Sequence, residues 1–203
     1  GEVGALASLT SPNIGVITSI GDAHLAGLTD RAGVVREKLS LLDHIRKGGL
    51  AVVNVDQVEG AELSGRVGDR RVVGFGTADF AEVRVSDIRS GIDGTTFRIN
   101  QRIEVSLPCL GKHNAMNAAA AYAVCRRLSV GEDVFVEAMA TFAPPPSRLN
   151  VSRVGGLTLI DDSYNANPAS TSAAIEVLRS VHGGRRVFVG GDMLELGDHA
   201  SAA

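Results

Sequence analysis

The 203 residues are 44% hydrophobic and 21% charged, with a net charge of -3, the balance of a globular chain able to bury a core. That charge gives no argument for a general nucleic-acid or membrane-surface binder, and no apolar run nears the ~20 residues of a membrane span. The two cysteines, Cys109 and Cys125, lack the CxxC spacing of a zinc site or disulfide framework, so a reducing, cytoplasmic setting is expected, with a monomer as the default state.

Along the chain, NIGVITSI (13–20) is a β-branched run between Pro12 and Gly21 and predicts a buried strand. IGDAHL follows and sets Asp22 and His24 at the strand's carboxyl end, where a histidine is either a loop residue or a ligand. Thr29 or Asp30 can cap a helix over 31–45, with Val34, Leu39, Leu42 and Ile45 among its apolar positions. Lys38 lies mid-helix, either solvated or turned inward, where burial lowers a lysine's pKa. Gly48 and Gly49 end that helix; LAVVNVD (50–56) predicts a second buried strand, and a short helix follows near 58–64.

RVVGFG, EVRVSDI, TTFRIN and RIEVSL, between Arg71 and Leu107, are short, alternating and turn-punctuated, with Asp93-Gly94 as a hairpin signal. They predict a small antiparallel subdomain. GKHNAMNAAAAYAVCRRL (111–128) is alanine-rich and helical, and a second helix is predicted over 132–142. GKHN is not a Walker A loop, since Ser106 and His113 stand where that loop has Gly and Ser or Thr. Asn114 and Asn117 are one helical turn apart and present amide donors and acceptors on one side, suited to caps or to a nucleobase edge.

APPPSRLN (143–150) stops the helix and marks the domain boundary. Arg148 there either meets water or clamps a phosphate. LTLIDD, a helix over 169–181 and RRVFVGGD then predict a β-α-β unit with parallel strands, placing Asp161, Asp162 and Asp192 at strand ends, where ligands of such sheets bind. In LIDDSYNANPAS (159–170), Asn167 as helix cap and Pro168 at the first helical position explain themselves. Asp161, Asp162, Tyr164 and Asn165 are left either to solvate a loop or to meet a ligand.

Taken together, IGVITSIGDAHL, REKLSLL, GKHNAMNAAAA, PPPSRLN, DDSYNANP and GDMLELG resemble, in order and spacing, the Mur ligases, ATP-dependent amide-forming enzymes of peptidoglycan precursor synthesis. DDSYNANP with GDMLELG is similar to the branch that adds D-alanyl-D-alanine. The resemblance implies an α/β fold: a mostly parallel, helix-flanked sheet of P-loop NTPase type with a small antiparallel insertion at about 66–107, then the start of a Rossmann-like domain. Residues 1–147 are expected to be the central ATP-binding domain and 148–203 the start of the C-terminal ligase domain.

The implied reaction uses ATP and Mg2+ to join D-Ala-D-Ala to UDP-MurNAc-tripeptide through an acyl phosphate. By the same resemblance His24 stands near magnesium, and Lys38 is the lysine carbamylated to supply a metal-binding carboxylate. His113, Asn114 and Asn117 hold adenine, Arg148 reaches ATP phosphate, Asp162 meets the nucleotide, and Tyr164, Asn165 and Asn167 lie near phosphate or the incoming dipeptide. The family's G-x-x-G-K-[ST] loop, UDP-sugar domain and metal-binding glutamate are expected upstream of residue 1, and most of the C-terminal domain after Gly197. The chain is thus expected to be an inactive piece of a larger enzyme. Ala26 replaces a residue that is commonly acidic in the family. The alternatives are another Mur ligase, a folylpolyglutamate synthase-like ligase or a non-catalytic nucleotide-binding module.

Overall fold

A computed structural model describes residues 2–21, 31–181 and 184–193. In chain order the elements are α1 (Glu2–Thr10), β1 (Ile14–Ile17), α2 (Arg31–Asp43), β2 (Leu50–Asn54), α3 (Gly60–Val67), β3 (Arg71–Gly76), β4 (Val83–Gly91), β5 (Gly94–Ile99) and β6 (Ile103–Leu107). Then come α4 (Lys112–Arg127), α5 (Glu132–Ala140), β7 (Asn150–Val154), β8 (Leu157–Asp161) and α6 (Pro168–Ser180). The first six strands form one sheet in sequence order, and β7 and β8 form a separate pair. This is the expected α/β architecture.

β2 is the centre of the layered core. Every residue of LAVVN is buried, because both faces of the strand are covered. Leu50 and Val52 face a cluster with Phe75, Phe97, Tyr122 and Phe135 under α4 and α5. Ala51 and Val53 face Val34, Leu39, Leu42 and Ile45 of α2 and the following turn. Fully burying each such aliphatic side chain stabilises the fold by about 1.5–3 kcal/mol. Ala115 and Ala119 of α4 are completely buried; alanine lets the helix backbone lie close to the sheet. Tyr122 and Phe135 join α4 to α5 edge-to-face at 5.1 Å.

RVVGFG differs from its expected place. It pairs in parallel with β2, Leu50 opposite Arg71 and Asn54 opposite Phe75, with α3 as the crossover between them. The physical reason is that a short β-branched run carries no signal of pairing direction; the intervening helix sets it. Within the six-stranded sheet, antiparallel pairing is limited to β4–β5 and β5–β6, where alternating burial marks a half-covered face. The hairpin at Asp93-Gly94 is present, with Gly91 opposite Gly94.

The predicted β-α-β unit is also corrected. β8 pairs antiparallel with β7 across a tight turn in which Gly155 and Gly156 both have positive φ. Described residues 184–193 contain no strand, and Val187 and Val189 are 60% and 89% exposed. An apolar run becomes a strand only when a neighbouring edge takes its backbone hydrogen bonds. Here β8's described pairing partner is β7, and Arg186 instead donates to the Val181 carbonyl at 2.9 Å. Asp192 therefore ends no strand. Helix α1 was not foreseen; the Val3 N–H donates to Glu37 Oε1 at 2.8 Å and holds it against α2. Leu110, Leu149 and Val177 form the small core that fastens α6 and the β7–β8 pair to the larger body. No helix among the described residues is long and apolar enough to cross a membrane.

Candidate functional site

A cavity of 630 Å³ lies where α4, the 142–149 segment and the start of α6 converge, with Lys38 and Ser19 at its β1 side. Its size suits a ligand of nucleotide dimensions. One wall is a single face of α4: Asn114, Asn117, Ala118 and Ala121, spaced i, i+3, i+4, i+7. Phe142, Pro144 and Pro145, from the segment that follows α5, add apolar groups to the lining.

The α4 face is pre-oriented. Asn114 Nδ2 donates to the Leu110 carbonyl at 2.8 Å, and Asn117 Nδ2 donates to Asn114 Oδ1 at 3.4 Å. Each amide retains a second N–H for a ligand edge. The entry to α4 is fixed by Gly111, whose N–H donates to Ser90 Oγ at 2.7 Å. Ser90 in turn shares a 3.0 Å hydrogen bond with Thr95 Oγ1, which donates to the Cys109 carbonyl at 2.7 Å. His113 follows. Its imidazole is reached by solvent through the cavity mouth, yet burial by the surrounding protein lowers its pKa, with the nearby Asp162 acting in the opposite direction.

Arg148 and Asp162 come from the linker and from the end of β8. Asp162 Oδ1 accepts the Leu149 N–H at 3.2 Å. Burial raises the Asp162 pKa, opposed by that backbone hydrogen bond and by His113 and Arg148. A carboxyl whose pKa rises on folding holds its proton more tightly in the native state. Its contribution to stability is therefore full in acid and declines as pH climbs from the unfolded to the folded pKa. Asp162→Asn keeps an acceptor for Leu149, so it is expected to raise the melting temperature at neutral pH and leave it nearly unchanged well below the carboxylate range. Thermal unfolding at the two pH values checks this; a lower melting temperature at neutral pH contradicts it.

Lys38 is half-buried, and its Nζ donates to the Ser19 carbonyl at 2.7 Å. It lines the cavity beside Ser19, and partial burial there lowers its pKa. Asn167 lines the cavity while capping α6: its Oδ1 accepts the Ser170 N–H at 2.9 Å, and Ser170 Oγ accepts the Asn167 N–H at 3.0 Å.

The structure thus brings Lys38, His113, Asn114, Asn117, Arg148, Asp162 and Asn167 to one cavity. Tyr164 and Asn165 do not line it: Tyr164 is 67% exposed and lies against Arg148, and Asn165 Oδ1 accepts the Ala166 N–H. His24 lies outside the described residues. Among the described residues no three His, Cys, Asp or Glu side chains are grouped to hold a metal ion. The apolar wall was missed, although the PPP run marks it, and so were Ala118 and Ala121, which the helical spacing from Asn114 identifies. Ser90 carried no signal, being 21 residues from the glycine it holds.

Chemically, the apolar lining can enclose a flat ring, the α4 amides can read its edge, and Arg148 can attract anionic oxygens. Residues 1–125 match the Mur ligase middle domain, and residues 147–203 match the glutamate ligase domain of Mur ligases. The chain is 33% identical over 202 residues to the UDP-N-acetylmuramoyl-tripeptide–D-alanyl-D-alanine ligase of Bacillus subtilis, covering 98% of this chain and 43% of the relative. With the ligase of the same name from Escherichia coli it shares 32% identity, covering 100% of this chain and 46% of that protein. A crystal structure of MurF from Acinetobacter baumannii superimposes with a TM-score of 0.89 at 30% identity, covering 98% of this chain and 44% of that one. The chain therefore spans less than half the length of these relatives.

Proposed function

Because this chain belongs to the Mur ligase family, we propose that it is the nucleotide-binding and interdomain part of a cytoplasmic ligase that joins D-alanyl-D-alanine to UDP-N-acetylmuramoyl-tripeptide at the expense of ATP. The observation that carries this reading is the shared cavity, in which the amides of α4 and the Arg148–Asp162 pair line one space. The names of the relatives reported above supply the substrates. In this reading residues 1–147 are the ATP-binding domain and 148–203 begin the ligase domain.

The donor set fits a nucleoside triphosphate. Asn114 and Asn117 bind the base edge through their remaining N–H groups, beside His113, which lines the same cavity. Arg148 offers a planar fork of donors to phosphate oxygens, a geometry lysine lacks. Asp162 accepts from ribose hydroxyls or from donors of the incoming substrate. Magnesium, when bound, offsets charge as the phosphoryl group passes to the tripeptide carboxylate. His24 and Lys38 are the residues of this chain assigned to it. For Lys38 the fit depends on a neutral amine: Nζ adds to the carbon of CO2, releases a proton and becomes a carbamate, and burial favours the uncharged form that this addition needs. Holding carboxylate, nucleotide and amine in one cleft removes much of the entropic barrier to their meeting.

The complete protein decides between substrates. Phosphate release from ATP is expected with UDP-N-acetylmuramoyl-tripeptide plus D-Ala-D-Ala and not with a folate plus glutamate. Release with the folate pair alone, or with neither pair, overturns the proposal.

A further inference from the structure

The linker and the end of β8 are tied together by contacts that no ligand requires. Ser147 Oγ donates to Asp161 Oδ2 at 3.2 Å, and the Tyr164 N–H donates to the Ser147 carbonyl at 3.2 Å. The Leu149 N–H meets Asp162 Oδ1, also at 3.2 Å. Between these ties Ser147 and Leu149 adopt φ values of 57° and 52°, a left-handed conformation that such residues keep only where the surroundings enforce it. Leu149 pays for nothing at the surface, since it is buried in the small core beneath α6. Arg148, flanked by the two, has its own N–H donating to Asn150 Oδ1 at 2.9 Å. Its backbone is therefore held on every side.

Its side chain is held as well. The guanidinium carbon lies 3.9 Å from the centre of the Tyr164 ring, within the range of a cation–π contact. Arg148 lines the cavity and Tyr164 does not. An exposed ring that covers one face of a cavity-lining guanidinium restricts its rotation and leaves its N–H edge free for hydrogen bonds in the ring plane. We propose that Tyr164 is a positioning residue, which holds the Arg148 guanidinium in place for an anionic group in the cavity and does not itself touch that group. This inference rests on reading Arg148 as a phosphate ligand.

The test uses the complete protein, with ATP and magnesium as probe. In arginine-resolved NMR spectra, the Arg148 side-chain protons are expected to resonate upfield under the ring current of Tyr164. They should move to ordinary positions in Tyr164→Leu and stay in Tyr164→Phe, while the amide spectrum elsewhere shows an intact fold. ATP binding, followed by the same spectra, is expected to weaken about three-fold in Tyr164→Leu, to be restored in Tyr164→Phe, and to lose nothing more when Tyr164→Leu is added to Arg148→Ala. Two results overturn the positioning role: Arg148 resonances that ignore Tyr164→Leu, or an equal loss from Tyr164→Leu in the Arg148→Ala background, which would mean that the ring meets ATP directly. If Arg148→Ala binds ATP as the unaltered chain does, or if no resonance in the cavity responds to ATP, the phosphate-ligand reading fails and takes the inference with it. A ring-current shift that persists in that case identifies the reading, not the stacking, as the fault.

Discussion

Gly111→Ala is expected to destabilise the chain by about 3 kcal/mol, the sum of a strained backbone and an overpacked neighbour. Gly111 sits at φ 96°, ψ 138°, a region that L side chains avoid. A Cβ there would lie 2.5 Å from His113 Cε1, 2.8 Å from His113 Nδ1 and 3.4 Å from Val177 Cγ2. The imidazole can rotate away, but rotation relieves only the contact and leaves the backbone strain. It also removes His113 from the cavity wall. Relaxing the backbone instead pulls the Gly111 N–H off Ser90 and shifts the first turn of α4, which carries Asn114. Fold and site are thus coupled at one residue. Urea unfolding and the histidine ring resonances measure the two effects, and a stability change under about 0.5 kcal/mol with an unmoved His113 contradicts the account.

Ala121→Phe has the opposite character. Ala121 lines the cavity on the same helix face as Asn114, Asn117 and Ala118, and is only partly buried. A phenyl ring there occupies space within the cavity and needs no rearrangement of the core beneath α4. Folding stability is expected to stay within about 0.5 kcal/mol of the starting chain, while ATP affinity falls by about 100-fold, ~2.7 kcal/mol. Calorimetric titration with ATP beside urea unfolding separates the two quantities. Unchanged affinity with the cavity filled means that the nucleotide binds elsewhere.

What the sequence disclosed depended on how local each signal was. The Asn167 cap with Pro168 after it is a contiguous pattern, and the structure reproduces it down to the reciprocal bonds with Ser170. The α4 face is legible too, because a helix converts spacing in sequence into position in space. Asn114 and Asn117 were identified, and Ala118 and Ala121 follow from the same arithmetic. Pairing direction is not local. RVVGFG reads like its alternating neighbours, and only the crossover by α3 makes it parallel to β2. RRVFVG reads as a strand, yet a strand exists only when its backbone pairs with a neighbour, and the described residues 184–193 pair with none. Tyr164 illustrates the same limit within a motif. DDSYNANP concentrates polar groups, but their destinations differ: Asp161 to the linker, Asp162 to the cavity, Asn167 to a helix end, Tyr164 to the face of an arginine.

Soaking crystals of the chain with a non-hydrolysable ATP analogue and magnesium tests the central claim most directly. The account predicts that the base lies against Asn114 and Asn117, with phosphate oxygens within hydrogen-bond reach of Arg148. Analogue density on any other surface, with this cavity left empty, contradicts it.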